Sequence, residues 1–153
     1  MKNNRRLLAD QLDKKLHPFR EAEKVIVPAP GWIYTIRTAL NIKLDQLARK
    51  LQVTRQGIKK MEERESSGAI TLNALRDIGK AMDMKFIYGF IPADGTIENL
   101  IERKSAELAK EIVLRTHQQM KLEDQGNSAE RIEKAIHELT MELKQEINKA
   151  IWD

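Results

Sequence analysis

KLDQLARKLQVTRQGIKKMEER, residues 43 to 64, is the stretch on which the reading of this chain turns. Leu44, Leu47, Ala48 and Leu51 recur at helical spacing and make one apolar stripe. Gln52 and Val53 follow, and Thr54 stands where a helix N-cap belongs, its hydroxyl placed to accept from a backbone N–H two or three residues on. Behind it Ile58 and Met61 are expected to face inward, with Arg55, Gln56, Lys59 and Lys60 pointing away. Two short helices at an angle, joined by a turn of three or four residues, describe a helix-turn-helix. An ordinary amphipathic hairpin with a solvated basic face is the alternative that periodicity leaves open.

The polar residues carry chemistry suited to base reading. The N-terminal residues of the second helix of such a motif meet base edges in the major groove. Arginine pairs bidentately with guanine O6 and N7, and glutamine with adenine N6 and N7, which suits Arg55 and Gln56. Lys60, one turn beyond Gln56, is a further base or phosphate contact, and Lys43 and Lys59 add positive charge beside it. Gly57 removes a side chain where the helix can approach a backbone closely, at a helix-propensity cost of about 1 kcal/mol.

Charge is divided along the chain. Residues 1–64 carry a net +8 and residues 65–153 a net −4, within an overall +4. A basic half beside an acidic half points to a polyanion partner for the first and a different role for the second. Length suits one domain, or one domain with an appendage. No apolar run approaches the ~20 residues of a membrane span, and the N-terminal MKNNRRLLADQLDKKL lacks the apolar core of a secretory signal. The absence of cysteine excludes disulfides and thiolate metal sites and is compatible with a reducing cytoplasm.

Outward from the central stretch, residues 4 to 16 read as a helix with Leu8, Leu12 and Leu16 on one side and Arg5, Arg6, Lys14 and Lys15 outside, ended by Pro18. HPFR at 17–20 invites comparison with the opening of the Fic nucleotidyl-transferase signature. That signature continues with a glycine-rich phosphate-holding stretch, whereas REAEKVI follows here. A histidine near the negative end of a helix dipole is sufficient explanation. Pro28 to Gly31 is a turn or linker, and Trp32, Ile33, Ile36 and Leu40 give a helix packing beneath the motif, with Trp32 expected in the core rather than as a stacking platform.

Glu65 to Gly68 reads as a loop, after which Thr71 caps a helix with Leu72, Leu75, Ile78, Gly79 and Met82 inside. Ser66, Ser67 and the amides at Thr71 can touch phosphate, as helix N-termini do; a solvated surface loop is the alternative. KFIYGFI, residues 85 to 91, is aromatic and β-branched and reads as a strand. A lone strand needs a partner. Pairing with its copy in a homodimer is favoured, and pairing with Val25 to Val27 competes.

From Thr96 the pattern is helical again. Ile97, Ile101, Leu108 and Ile112 form one stripe, Gly126 and Ser128 mark a break, and Ile132, Ile136, Leu139, Leu143, Ile147 and Ile151 form a second. These two helices are expected to make an antiparallel hairpin whose apolar faces seek a partner. The fold class is therefore mainly α: a helix-turn-helix domain with one short β-strand and a C-terminal helical hairpin. Boundaries fall at 1–27 for an N-terminal helical arm, 28–92 for the central domain and 93–153 for the hairpin. No serine–histidine–acid constellation is evident, and His17, His117 and His137 lack ligand spacing, so neither catalysis, a metal nor a cofactor is expected.

GWIYTIRTALNIKLDQLARKLQVTRQGIKKMEERE resembles the Cro/C1-type (XRE) helix-turn-helix, with LDQLARKL and TRQGIKKME as its two motif helices. Taken in order, QLDKKL, PAPGWIYTIRTALN, GAITLNALRDIGKAMDMKFIYGFIP, QMKLEDQ and the terminal IWD resemble the family called mobile mystery protein A over nearly the whole chain. The resemblance implies a bacterial, cytoplasmic DNA-binding protein encoded beside a Fic-domain partner, acting as autorepressor and antitoxin of a toxin–antitoxin pair. It also carries base reading onto Arg55, Gln56 and Lys60, with Thr54 as the cap. Fic inhibitors carry a helix with the pattern Ser/Thr-x-x-x-Glu-Gly/Asn. The nearest string here runs from Asp94 to Glu98 and Asn99, with aspartate in place of the hydroxyl residue, so inhibition of a Fic partner through Glu98 is a departure from that pattern.

Overall fold

The computed structural model describes residues 2–122 and 129–153, and the chain divides into two compact units, residues 24–88 and residues 1–23 with 89–153. The described residues are mainly helical. None of their helices is long and apolar enough to cross a membrane.

The first unit opens with a turn in which the Gly31 N–H donates to the Pro28 carbonyl at 2.9 Å. Four helices follow: α2, Trp32–Ala39; α3, Leu44–Leu51; α4, Arg55–Ser67; and α5, Leu72–Ala81. Ile33, Leu47, Ala48, Ile58, Ile78 and Met82 are buried together, one or two from each helix, and Ile36, Leu44, Leu51, Met61 and Leu75 pack around them. This is the set that helical spacing marks, with three exceptions. Trp32 is 40% exposed, Leu72, expected inside α5, is 44% exposed at its first position, and Leu40, just past the end of α2, is exposed as well. Ile33 takes the core place because Gly31, at φ +90°, turns the chain so that Ile33 faces inward.

Glu65 explains that turn. Its carboxylate accepts from the backbone N–H groups of Trp32 and Ile33, both at 2.8 Å, and so caps α2 from α4. A Cβ on Gly31 would lie 2.8 Å from the same carboxyl group. Glu65 to Ser67, expected in a loop, are therefore the last turn of α4, and Gly68 closes the helix in the left-handed conformation at φ +83°. The carboxylate's role across 33 residues gives that extra turn its reason.

Residues 85 to 91 form no strand. Met84 donates to the Gly79 carbonyl at 2.8 Å, and beyond it the main chain of 85–91 shows no hydrogen bond within the described residues. Val25 to Val27 do not pair with it; all three are exposed. A strand is defined by a ladder, and nothing among the described residues supplies the second rail. Phe86 nevertheless stacks on Tyr88, ring centroids 6.1 Å apart, as the two-residue period of extended backbone demands.

In the second unit α6, Ile97–Leu122, packs against α7, Ala129–Glu146. The two run antiparallel, since Lys144 near the end of α7 meets Glu98 and Glu102 near the start of α6, at 3.1 and 3.7 Å. Ile101, Ala109, Leu143 and Ile151 are buried between them. The expected caps at Gly126 and Ser128 lie outside the described residues. The last apolar stripe does not continue as one helix to Ile151. Helix α7 stops at Glu146, Ile147 adopts φ +48°, and a 3-10 turn over Lys149–Trp152 brings Ile151 back into the core.

The N-terminal helix α1, Lys2–Leu16, is not a free arm, and the boundary expected at residue 27 is displaced. It packs on α6 and α7 through Arg6, Ala9 and Asp13, a stripe rotated from the one its leucines mark. Leu7, Leu8 and Leu12 are 54%, 57% and 42% exposed, while Leu16, at the end of the marked stripe, is partly buried. Helix α6 begins with unpaired backbone N–H groups. Thr96 Oγ1 accepts one from Asn99, and the Asp13 carboxylate accepts those of Ile97 and Glu98 at 2.6 and 3.1 Å. Arg6 donates to both oxygens of Glu98 at 3.1 and 2.9 Å. Polar demand at the start of α6 thus sets the orientation of α1.

Burial alone would raise the Glu98 carboxyl pKa, but hydrogen bonds from Arg6 and Lys144 outweigh it and hold the group below its ordinary value of 4.5. A carboxylate depressed on folding contributes stability above its unfolded pKa and loses it as pH falls through the folded value. Glu98→Gln is therefore expected to lower stability at neutral pH, and the gap from the parent protein is expected to close as the medium is acidified below 4.5. Urea melts across pH check this; a gap that is constant with pH would contradict it.

Candidate nucleic-acid interface

The candidate surface is built on α3, the connection 52–54 and the first two turns of α4. Helix α3 is closed at its start by Gln46, whose Oε1 accepts from the Lys43 N–H at 2.9 Å. It ends at Gln52, left-handed at φ 56°, and the Val53 N–H returns to the Ala48 carbonyl at 3.0 Å. The chain then enters α4 through Thr54, whose Oγ1 accepts from the Gly57 N–H at 3.0 Å. Gly57 suits this tight turn: a Cβ there would sit close to Thr54 Oγ1, at 3.3 Å, and in ordinary contact with Val53 Cβ at 3.5 Å. Thr54 is therefore a structural member of the surface. Thr54→Ala is expected to cost about 1 kcal/mol of stability, read as a lower denaturation midpoint, with Thr54→Ser restoring most of it.

Past the cap, Arg55, Gln56, Lys59 and Lys60 are all exposed, and Ile58 between them is fully buried. That combination fixes the helix by its inner face and leaves the outer one free. Arg55 lies 3.7 Å from Asp45, both side chains more than half exposed, an ion pair worth little in water. Gln56 and Lys60 have no hydrogen-bond or ion-pair partner among the described residues. Lys59 lines a shallow depression with Pro30, Tyr34, Glu63 and Ser66, on the side of α4 that faces α2.

The Arg55–Asp45 contact places the first turn of α3 beside the first turn of α4. Lys43, exposed at the N-cap of α3, belongs to the same end. Two helix N-termini on one side add their partial positive charges to those of the side chains. The unit that carries them, residues 24–88, holds twelve basic and six acidic side chains, net +6. The basic residues of α1 belong to the other unit.

Ser66 and Ser67 stand apart. Both lie in the last turn of α4, about 16 Å along the helix from Arg55 at 1.5 Å per residue. Their hydroxyls donate back to the carbonyls of Glu63 and Arg64 at 3.0 and 3.2 Å. A helix C-terminus carries partial negative charge, so these serines are poorly placed to extend the candidate surface. Thr71 caps α5 as expected, accepting from the Ala74 N–H at 3.1 Å. Glu98, in the other unit, is engaged by Arg6 and Lys144.

Two residues that matter here escaped the reading of the sequence. Arg37 on α2 and Glu62 on α4 form an ion pair with side chains only 12% and 11% exposed. Arg37 also donates to the Ile42 carbonyl at 3.2 Å and stacks over Tyr34, 5.5 Å from its centroid. The pair locks α4 to α2. A glutamate one turn beyond Ile58, on the inward-facing side of α4, was the available signal. His17 is exposed in the 3-10 segment after α1, and the described residues hold no cluster of histidine and acid side chains able to bind a metal. The chain matches no family model, no curated protein and no solved structure.

Proposed function

We propose that this protein is a sequence-specific DNA-binding regulator of the Cro/C1-like helix-turn-helix kind. The observation that carries the proposal is the start of α4. A capped, core-anchored helix end offers Arg55, Gln56, Lys59 and Lys60 to solvent beside the N-terminus of α3, on a unit of net +6. Arg55 and Gln56 are the base readers, Lys59, Lys60 and Lys43 the phosphate contacts, and Thr54 holds the geometry. Reading an operator with two-fold symmetry calls for a homodimer, its half-sites about 34–36 Å apart. Catalysis plays no part in this role, which belongs in the cytoplasm.

The resemblance to mobile mystery protein A extends the proposal to autorepression and to an antitoxin paired with a Fic-type partner. Direct restraint of that partner through Glu98 is the weaker version, because Arg6 and Lys144 already occupy that carboxylate. The test is binding of the purified protein to a duplex carrying its own upstream region, against random duplexes of equal length, over a range of salt. Specific binding with a steep salt dependence supports the proposal. Equal binding to all duplexes, or none, overturns it.

A further inference from the structure

The main chain of residues 85–91 makes no hydrogen bond within the described residues and most of the segment is exposed, although its side chains are those of a strand. We propose that this segment completes itself by antiparallel pairing with a second copy of the chain, with the two-fold axis passing through Ile87. The proposal rests on the homodimer of the preceding section and names its surface and register.

The register follows from the side chains. Phe86 and Tyr88 share one face, as their stacking shows, and Arg76 lies over Tyr88, 5.5 Å from the ring centroid. Lys85 and Ile87 take the other face, and Ile87 is 66% exposed. An axis perpendicular to the paired strands keeps each face on its own side, so directly opposed residues have the same parity and the axis passes through a residue. An axis at Lys85 would oppose two lysines, which is unfavourable. An axis at Tyr88 would oppose two tyrosines and bring both Arg76 guanidinium groups over adjacent rings. An axis at Phe86 would set Tyr88 against Met84. With the axis at Ile87, Phe86 of each copy faces Tyr88 of the other, giving a row of four aromatic rings. Lys85 then comes against Gly89 of the other copy, where the Phe19 ring fills the place of a side chain, and each Ile87 covers the other. Cross-strand aromatic pairs are favourable contacts, and the pairing removes an open edge.

The chain has no cysteine, so a single introduced thiol gives an unambiguous answer. Opposed residues of an antiparallel pair have Cα atoms about 4.5–5.5 Å apart, within the span of a disulfide. Ile87→Cys, at an exposed position, is expected to form a covalent dimer rapidly under mild oxidation. The two copies of residue 85 would be offset by four positions, about 14 Å along the strand, so Lys85→Cys is expected to remain monomeric on a non-reducing gel. Light scattering of the unmodified protein is measured alongside. A dimer in solution with cross-linking confined to Ile87→Cys supports the proposal. A dimer that cross-links faster through Lys85→Cys or Tyr88→Cys overturns the register. A dimer that no position in the segment traps overturns the strand pairing, while leaving dimeric DNA reading intact. A monomer at all concentrations overturns both.

Discussion

Arg37→Ala is expected to destabilise the protein by about 3 kcal/mol, the low end of what breaking a buried ion pair costs. The guanidinium meets both carboxylate oxygens of Glu62 and the Ile42 carbonyl, and both side chains are nearly out of solvent. Truncating the arginine strands the Glu62 charge where water can hardly reach it. The cost comes from the orphan, and the intact pair need contribute little net stability. Two comparisons separate these effects. Glu62→Ala alone is expected to cost a similar amount, while Arg37→Met combined with Glu62→Leu is expected to recover most of the loss, since two apolar side chains of comparable size leave no unpaired charge. Urea denaturation gives the answer as shifts in midpoint at constant slope. If the double replacement is as unstable as the singles added together, the pair's hydrogen bonds, and not the stranded charge, account for the loss. Either single replacement is also expected to loosen α4 against α2 and to weaken operator binding, although neither residue is offered to DNA in the proposal.

The second large effect belongs to the proposed reading helix. Arg55→Ala together with Gln56→Ala is expected to lower the ratio of specific to non-specific binding by at least about 30-fold, since each bidentate base contact contributes about 1–3 kcal/mol of discrimination. Both side chains are exposed and neither supports the core, so the thermal midpoint should stay within a degree or two of the parent. Lys59→Ala with Lys60→Ala is expected to behave differently. Loss of phosphate contacts weakens binding to all duplexes alike and reduces the slope of log affinity against log salt by about 1 per contact removed. The two variants therefore distinguish base reading from backbone positioning. Parallel losses on specific and random duplexes in the Arg55/Gln56 variant would remove those residues from sequence reading.

Local patterns were readable in the chain because their causes are local. The stripe Leu44, Leu47, Ala48, Leu51 and the caps at Thr54 and Thr71 depend on neighbours within one turn, and α3, α4 and α5 begin close to where those residues place them. The outward placement of Arg55, Gln56, Lys59 and Lys60 follows from the same period, once Ile58 and Met61 are inside. Extended backbone at Phe86 and Tyr88 was also legible, whereas a ladder was not, because a ladder requires a second segment that no local pattern names.

What tertiary structure alone decided lies at longer range. Glu65 caps α2 across 32 and 33 residues, Arg37 reaches Glu62 across 25, and Asp13 caps α6 across 84 and 85. Helix α1 shows the reason most directly. Its leucine spacing identifies an apolar side, but the hairpin it meets needs a carboxylate at the start of α6 and a cation beside Glu98, so Asp13 and Arg6 turn inward and Leu7, Leu8 and Leu12 remain exposed. Periodicity states which residues share a face. Which face is buried is settled by the unsatisfied groups of whatever that helix packs against, and an unpaired backbone N–H or buried charge costs more than a half-exposed leucine.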